Sequence, residues 1–193
     1  LLVGDESDSG KALRAMQPSG LLQDIDFSRA DADPRWQFSA ILQDVSWHRW
    51  QMLPGISDLS GRVRGHPDGG ALELALGKQT VAVGPYFPKD IPINQLSATL
   101  QWQRMADGWQ LSGNQIALQT PALEASGNFR LDLPAQGSSY LALLAGVDLH
   151  DAGQAWRYYP RLAMGEGLTR YLSRALQAGH AEGSTILWDG PLA

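Results

Sequence analysis

The stretch Leu123-Glu124-Ala125-Ser126-Gly127-Asn128-Phe129-Arg130-Leu131-Asp132-Leu133 decides the fold. Leu123, Ala125, Gly127, Phe129, Leu131 and Leu133 fall on one side of an extended chain. Glu124, Ser126, Asn128, Arg130 and Asp132 fall on the other. A period of two belongs to a β-strand with one dry and one wet face. The same alternation recurs on both sides of this stretch. Leu96, Ala98, Leu100 and Trp102 alternate with polar residues, as do Leu59, Gly61 and Val63, and then Leu72, Leu74 and Leu76. Runs of this kind read as antiparallel strands whose dry faces share one side of a sheet.

Some runs break phase. Phe38, Ala40 and Leu42 are in register, but the pattern then moves to Val45 and Trp47. Between Trp109 and Thr120 it slips from Leu111 to Ile116. A one-residue slip exchanges the faces, so each break predicts a β-bulge, with Gly113 the expected site of the second. Tyr140 to Leu149 is apolar on both sides and is expected to be covered. A last strand is expected over Ser184 to Trp188. Ala106-Asp107-Gly108 and Pro67-Asp68-Gly69 are hairpin turns, and Thr120-Pro121 is a sharp corner. Short turns between consecutive strands make a meander, and no βα alternation appears.

Two regions depart from this pattern. Ser9 is placed to cap a short helix from Gly10 to Gln17, which Pro18 stops. Asp151 is placed to cap one or two turns that Pro160 ends, and a second helix is expected over Glu166 to Gln177. Its apolar stripe of Leu168, Tyr171, Leu172, Ala175 and Leu176 should dock on the sheet.

Composition narrows the function. The chain has 193 residues, 44% of them hydrophobic and 18% charged, with a net charge of -5. That is one domain's length, not disordered, and too acidic for a nucleic-acid footprint. The absence of cysteine excludes disulfides and thiolate metal sites. The first residues do not read as a signal peptide, and the most apolar run, Tyr140 to Val147, is too short to span a bilayer as a helix. The chain reads as a fragment of a longer protein.

Catalytic patterns are missing. Gly55-Ile56-Ser57-Asp58-Leu59 fails as a nucleophile elbow at its last position. Gly165-Glu166-Gly167 lacks the rest of a dinucleotide fingerprint and reads as a helix start. Asp148, His150 and Asp151 read as a polar turn and helix cap. Asp24, Asp26, Asp31 and Asp33 read as a solvated loop, since the EF-hand order is absent. The four histidines show no metal-ligand spacing. Arg62 and Arg64 share a wet strand face and could meet a lipid phosphate, but alternation alone accounts for them. The tryptophans read as packing residues.

Longer strings are more specific. Trp47-x-x-Trp50-x-x-Leu53-Pro54-Gly55-Ile56-x-x-Leu59-x-Gly61 resembles the central region of the YhdP family of AsmA-like envelope proteins. Ser112-Gly113 after Gly108-Trp109 is similar to it as well. The fullest match is Gln154-Ala155-Trp156-Arg157-Tyr158-Tyr159-Pro160, then Met164-Gly165, Tyr171-Leu172-Ser173 and Ala175-Leu176 before Gly179. The resemblance runs from about Gly20 to the end of the chain.

The resemblance implies an inner-membrane-anchored protein of Gram-negative bacteria that extends across the periplasm. It implies a bridge whose repeated β units form an open groove for phospholipid tails. It implies no catalytic residues and no cofactor or metal. The expected fold is mainly β: a strongly curved antiparallel sheet, a groove-like meander, with a short helical insert near the C-terminus. The meander is expected over residues 20–149, the insert over 150–179 and a returning strand over 180–193. The groove candidates are Leu59, Val63, Leu72, Leu74, Leu76, Leu96, Leu100, Trp102, Leu123, Phe129, Leu131 and Leu133. Expected partners are phospholipid acyl chains, neighbouring β-groove repeats of the same parent chain, and inner- and outer-membrane partners, with no nucleic acid. The competing expectations are a structural or partner-binding β-module of an envelope protein, and an enzyme acting on glycans or phosphates. The second lacks any acid/base constellation.

Overall fold

The structure is a computed structural model and describes residues 8–30, 33–50, 53–84 and 87–192. Helix α1 (Asp8–Met16) leads into strands β1 (Ser19–Ala30), β2 (Asp33–Trp47), β3 (Ile56–His66) and β4 (Gly69–Leu76). Two short strands follow, β5 (Gln79–Val81) and β6 (Ile91–Ile93). Then come β7 (Gln95–Met105), β8 (Gly108–Gln119), β9 (Leu123–Pro134) and β10 (Tyr140–Leu149). A 3₁₀ helix (Ala152–Tyr158), helix α2 (Arg161–Ala175) and β11 (Ala181–Pro191) complete the chain.

All the long strands form one open antiparallel sheet of nine strands in the order β1-β2-β3-β4-β7-β8-β9-β10-β11. Chain order is kept throughout, so this is the expected mainly β meander. β5 and β6 pair only with each other, as an excursion between β4 and β7. The hairpins close through two-residue loops, with His66 opposite Gly69 and Met105 opposite Gly108.

Bulges keep the apolar side chains on one side. The β2–β3 register slips between Leu42 and Val45, and Asp44 takes the left-handed conformation with φ 53°. Asp58 on β3 does the same with φ 52°, and its N–H donates to Ser46 Oγ at 2.9 Å. Each inserted residue restores phase, so Leu42, Val45, Trp47, Ile56 and Leu59 share a face. The second expected bulge also exists, between Gly113 and Ile116. Its left-handed residue is Gln115 with φ 51°, not Gly113.

Gly113 has a different duty. A Cβ there would lie 2.3 Å from Phe129 Cε1, so the Phe129 ring rests directly on the neighbouring strand. Gly70 likewise admits Trp102, whose Cζ2 would be 2.3 Å from an added Cβ. Both pairs are cross-strand neighbours. A ring laid over a glycine fills the space a second side chain would occupy.

Part of the apolar face is covered. Leu59, Leu76, Val81 and Ile93 form a small buried core, with Leu42, Trp47, Ile56, Leu74, Val83, Ile91, Leu96 and Leu118 packed around it. The β5–β6 excursion therefore folds over the apolar face where β4 ends and β7 begins. It is pinned to β3 by Gln79, whose side chain accepts from Ser57 N–H at 3.0 Å and donates to the Ser57 carbonyl at 2.7 Å. Gly55 N–H adds a bond to the Ala82 carbonyl at 3.2 Å.

The β8–β9 corner lies along the same border. Buried Thr120 accepts at Oγ1 from the N–H of Ala122 (3.2 Å) and of Leu123 (3.0 Å). Tyr158 of the 3₁₀ helix joins the same hydroxyl at 3.0 Å. The Ala122 carbonyl accepts from His150 and Asp151 N–H at 2.8 and 3.1 Å. Asp151 caps the 3₁₀ helix as expected, accepting from Gly153 N–H at 3.0 Å. Ala122, Leu123, Ala152 and Ala155 are buried in this contact. Lys89 of the excursion sits 5.5 Å from the Trp156 ring centre, which links the two covers.

Several local expectations are corrected. Helix α1 opens at Asp8, so Ser9 lies within it. Helix α2 opens at Arg161 and breaks at Gly165 (φ 67°, ψ 167°), so its regular part begins near Glu166 as expected but ends at Ala175. Its apolar stripe does not dock on the sheet. Leu168, Tyr171 and Leu176 are 47%, 68% and 40% exposed. β10 is not covered on both sides either, since Leu144 and its partner Leu187 are exposed. Asp24 and Asp26 lie on β1 and Asp33 opens β2, so they belong to a hairpin's strands and not to a loop. Asp31 falls outside the described residues.

Two stability results follow from this packing. Thr120→Val keeps the shape but strands two buried N–H groups, and should cost about 1–3 kcal/mol in urea denaturation. Gly113→Ala pushes against the Phe129 ring and should cost about 1–3 kcal/mol. Gly146→Ala is the control: an added Cβ finds nothing nearer than 3.8 Å, so its midpoint should not fall.

Candidate functional site

The register places every groove candidate on one face of the nine-stranded sheet. One row runs Val63–Leu72–Leu100–Gly113–Phe129–Leu143–Trp188, each residue opposite the next. A parallel row runs Gly70–Trp102–Leu111–Leu131–Leu141. Leu76, Leu96, Leu118, Ala125 and Val147 make a third. Leu74 pairs with Ala98, Leu133 with Trp109, and Leu123 with Leu149. Nine strands at about 4.8 Å spacing give an apolar band roughly 40 Å long across the strands.

The candidates divide by cover. Leu59, Leu76 and Leu123 are buried, the first two under the excursion and Leu123 at the Thr120 corner. Leu74 and Leu96 border that core. Val63, Leu72, Leu100, Trp102, Phe129, Leu131 and Leu133 are half-buried among their own neighbours and form the open floor. The sequence reading missed other members of this floor. Leu141 and Leu143 were hidden by a strand apolar on both sides. Phe27, Trp36 and Phe38 extend it onto β1 and β2 as an aromatic ladder, with ring centres 5.8 and 5.9 Å apart.

The opposite face is polar along the same strands. Gln101, Ser112 and Arg130 stand in one row. Gln110 Nε2 donates to Asp132 Oδ1 at 2.8 Å, and Arg130 Nε is 3.3 Å from Asp132 Oδ2. The two faces therefore differ in chemistry along most of the sheet. An apolar floor of this extent exceeds what an ordinary monomer leaves in water.

The Asp148, His150 and Asp151 side chains are spread over separate contacts. Asp148 Oδ1 accepts from Gly183 N–H at 2.7 Å, Asp151 caps the 3₁₀ helix, and exposed His150 stands 3.8 Å from Glu124. The cluster seen in the sequence is thus a turn, a cap and a loose surface pair. The Tyr140 phenol is raised above its ordinary pKa because it donates to Asp189 at 2.9 Å. Burial raises that of Tyr159. Among the described residues no group of three or more His, Asp or Glu side chains is placed to hold a metal ion. No helix among them is long and apolar enough to cross a membrane.

The strings that carried the resemblance are structural fasteners. Trp47 Nε1 donates to the Pro54 carbonyl at 2.9 Å. Trp50 and Leu53 exchange backbone bonds at 3.2 and 2.9 Å, which closes the β2–β3 connection. Gln154 to Tyr158 lie in the 3₁₀ cover and Pro160 caps the next helix, with Arg157 and Lys89 both near the Trp156 ring.

Comparison with known proteins places the chain in a family. The family model described as YhdP protein matches residues 2–193. The intermembrane phospholipid transporter YhdP of Escherichia coli (strain K12) is 35% identical over 185 residues, 94% of this chain and 14% of that protein. The chain thus spans about a seventh of the length of this curated relative. No solved structure matches. The chain belongs to the YhdP family.

Proposed function

We propose that the chain is one segment of a periplasm-spanning bridge that conducts phospholipids between the inner and outer membranes along its apolar face. The observation that carries this reading is the unbroken apolar band across all nine strands, open over Val63, Leu72, Leu100, Phe129 and Leu131. Acyl chains can lie on such a floor, gaining roughly 0.8 kcal/mol for each CH₂ withdrawn from water. Head groups remain in water at the lip. The similarity to a phospholipid transporter supports the cargo.

Residues 20–149 form the groove, 150–179 the insert and 180–193 the returning strand. The excursion and the 3₁₀ helix wall one side of the groove, while the path runs across the strands. β1 and β11 are the free edges, where neighbouring repeats of the same parent would continue the sheet. The parent is anchored to the inner membrane, and no catalytic role is assigned.

A charge on the floor tests this in the full-length parent. Leu100→Asp places a carboxylate amid acyl chains, a burial that costs several kcal/mol unless it is paired. Gln101→Asp adds the same charge on the polar face. Leu100→Asp should abolish lipid delivery in an envelope-lipid assay at normal protein level, whereas Gln101→Asp should retain it. Equal transport by two folded variants would refute the groove and favour a module that only docks partners.

A further inference from the structure

The polar face carries a hollow of about 560 Å³ at the β3–β4 hairpin. Its floor is bare: Gly69 and Gly70 contribute no side chain and Ala71 a buried methyl. Beside that floor stands Arg64, with Arg35 and the Asp68 carboxylate at the rim.

The guanidinium groups near the hairpin are not equivalent. Asp68 lies 3.7 Å from Arg35 Nη1 and 3.9 Å from Arg104 Nε. Those pairs are longer than hydrogen bonds and are half-exposed, so they are loose. Arg104 lies over the Trp109 ring, 5.2 Å from its centre, on the face that also bears Leu133, so its side chain stands across the sheet from Arg64. Arg64 rises beside the floor opposite Ala71 and has no acidic partner among the described residues. Arg62, two residues away on the same face, instead stands opposite Glu73 and outside the hollow.

Neutral donors complete the lining. Gln101 and Ser112 continue the row from Ala71. His66 Nδ1 accepts from Asp68 N–H at 3.2 Å, which leaves Nε2–H as a donor in the neutral ring. A guanidinium fork with hydroxyl and amide donors suits the oxygens of a phosphate group. The hollow exceeds a bare phosphate in size and leaves room for what is esterified to it.

We propose that this hollow binds a phosphate ester, with Arg64 as the principal contact and Gln101 and Ser112 as neutral donors beside it. The site faces away from the apolar groove and does not depend on lipid conduction. The ester is either a soluble metabolite-like phosphate or the head group of an anionic lipid, which share this chemistry.

Calorimetric titration of the chain with glycerol 3-phosphate, and flotation with phosphatidylglycerol vesicles, test it at physiological ionic strength, where weak surface attraction is screened. At least one ligand should bind, and Arg64→Gln should weaken that binding by about tenfold or more with an unchanged melting temperature. Arg64→Lys should fall between, since it keeps the charge but loses the fork. Arg62→Gln removes the same charge outside the hollow and should bind as the parent does. Vesicle binding that glycerol 3-phosphate displaces identifies a head group, and binding of the soluble ester alone identifies a free one. Equal weakening by Arg64→Gln and Arg62→Gln, or no binding of either ligand, would overturn the proposal.

Discussion

Everything in this structure depends on phase. An antiparallel sheet separates apolar from polar side chains only while the alternation of each strand stays in step with its neighbours. A single unshifted residue would carry the rest of a strand to the wrong side. The left-handed residues Asp44, Asp58 and Gln115 absorb the extra positions. Aspartate tolerates that conformation better than most side chains, and each of these lies where the pairing slips or beside such a slip. The bulges are therefore what makes one continuous apolar band out of strands of unequal pattern.

Once the band exists, the remaining elements decide how much of it stays open. The β5–β6 excursion and the 3₁₀ helix cover one border, and their own small core supplies part of the burial that a two-layer fold would supply. Their polar joints are specific: Gln79 to Ser57, Thr120 to the corner backbone, Lys89 to Trp156. Elsewhere no second layer is present among the described residues. Rings over glycines, Phe129 on Gly113 and Trp102 on Gly70, give the open floor a packed surface of its own. Helix α2 adds no cover to the sheet and leaves Tyr171 largely exposed.

Much of this was legible in the sequence, because a period of two is a local signal. The stretch from Leu123 to Leu133 shows its face directly, and the phase breaks at Val45 and Ile116 announce their bulges. Nonlocal facts were not legible. Nothing near Gly113 says that the Phe129 ring of the next strand will occupy its side, so a packing glycine looked like a bulge residue. Tyr140 to Leu149 is apolar on both sides because Leu144 meets Leu187 on the outer face, which the pattern alone reads as cover. The stripe of α2 has a core helix's spacing, yet spacing does not state what lies opposite it. Arg62 and Arg64 look alike in sequence, and only the cross-strand partners Glu73 and Ala71 separate them.

The central claim is that acyl chains travel on the face bearing Leu72, Leu100 and Leu131. Site-specific photo-crosslinking in the full-length parent, in living cells, tests it most directly. A photoreactive residue at each of those positions should capture phospholipid, while one at the adjacent Glu73, Thr99 and Asp132 should not. Capture confined to the polar positions, or lipid adducts at neither set while the parent still transports lipid, would contradict the account.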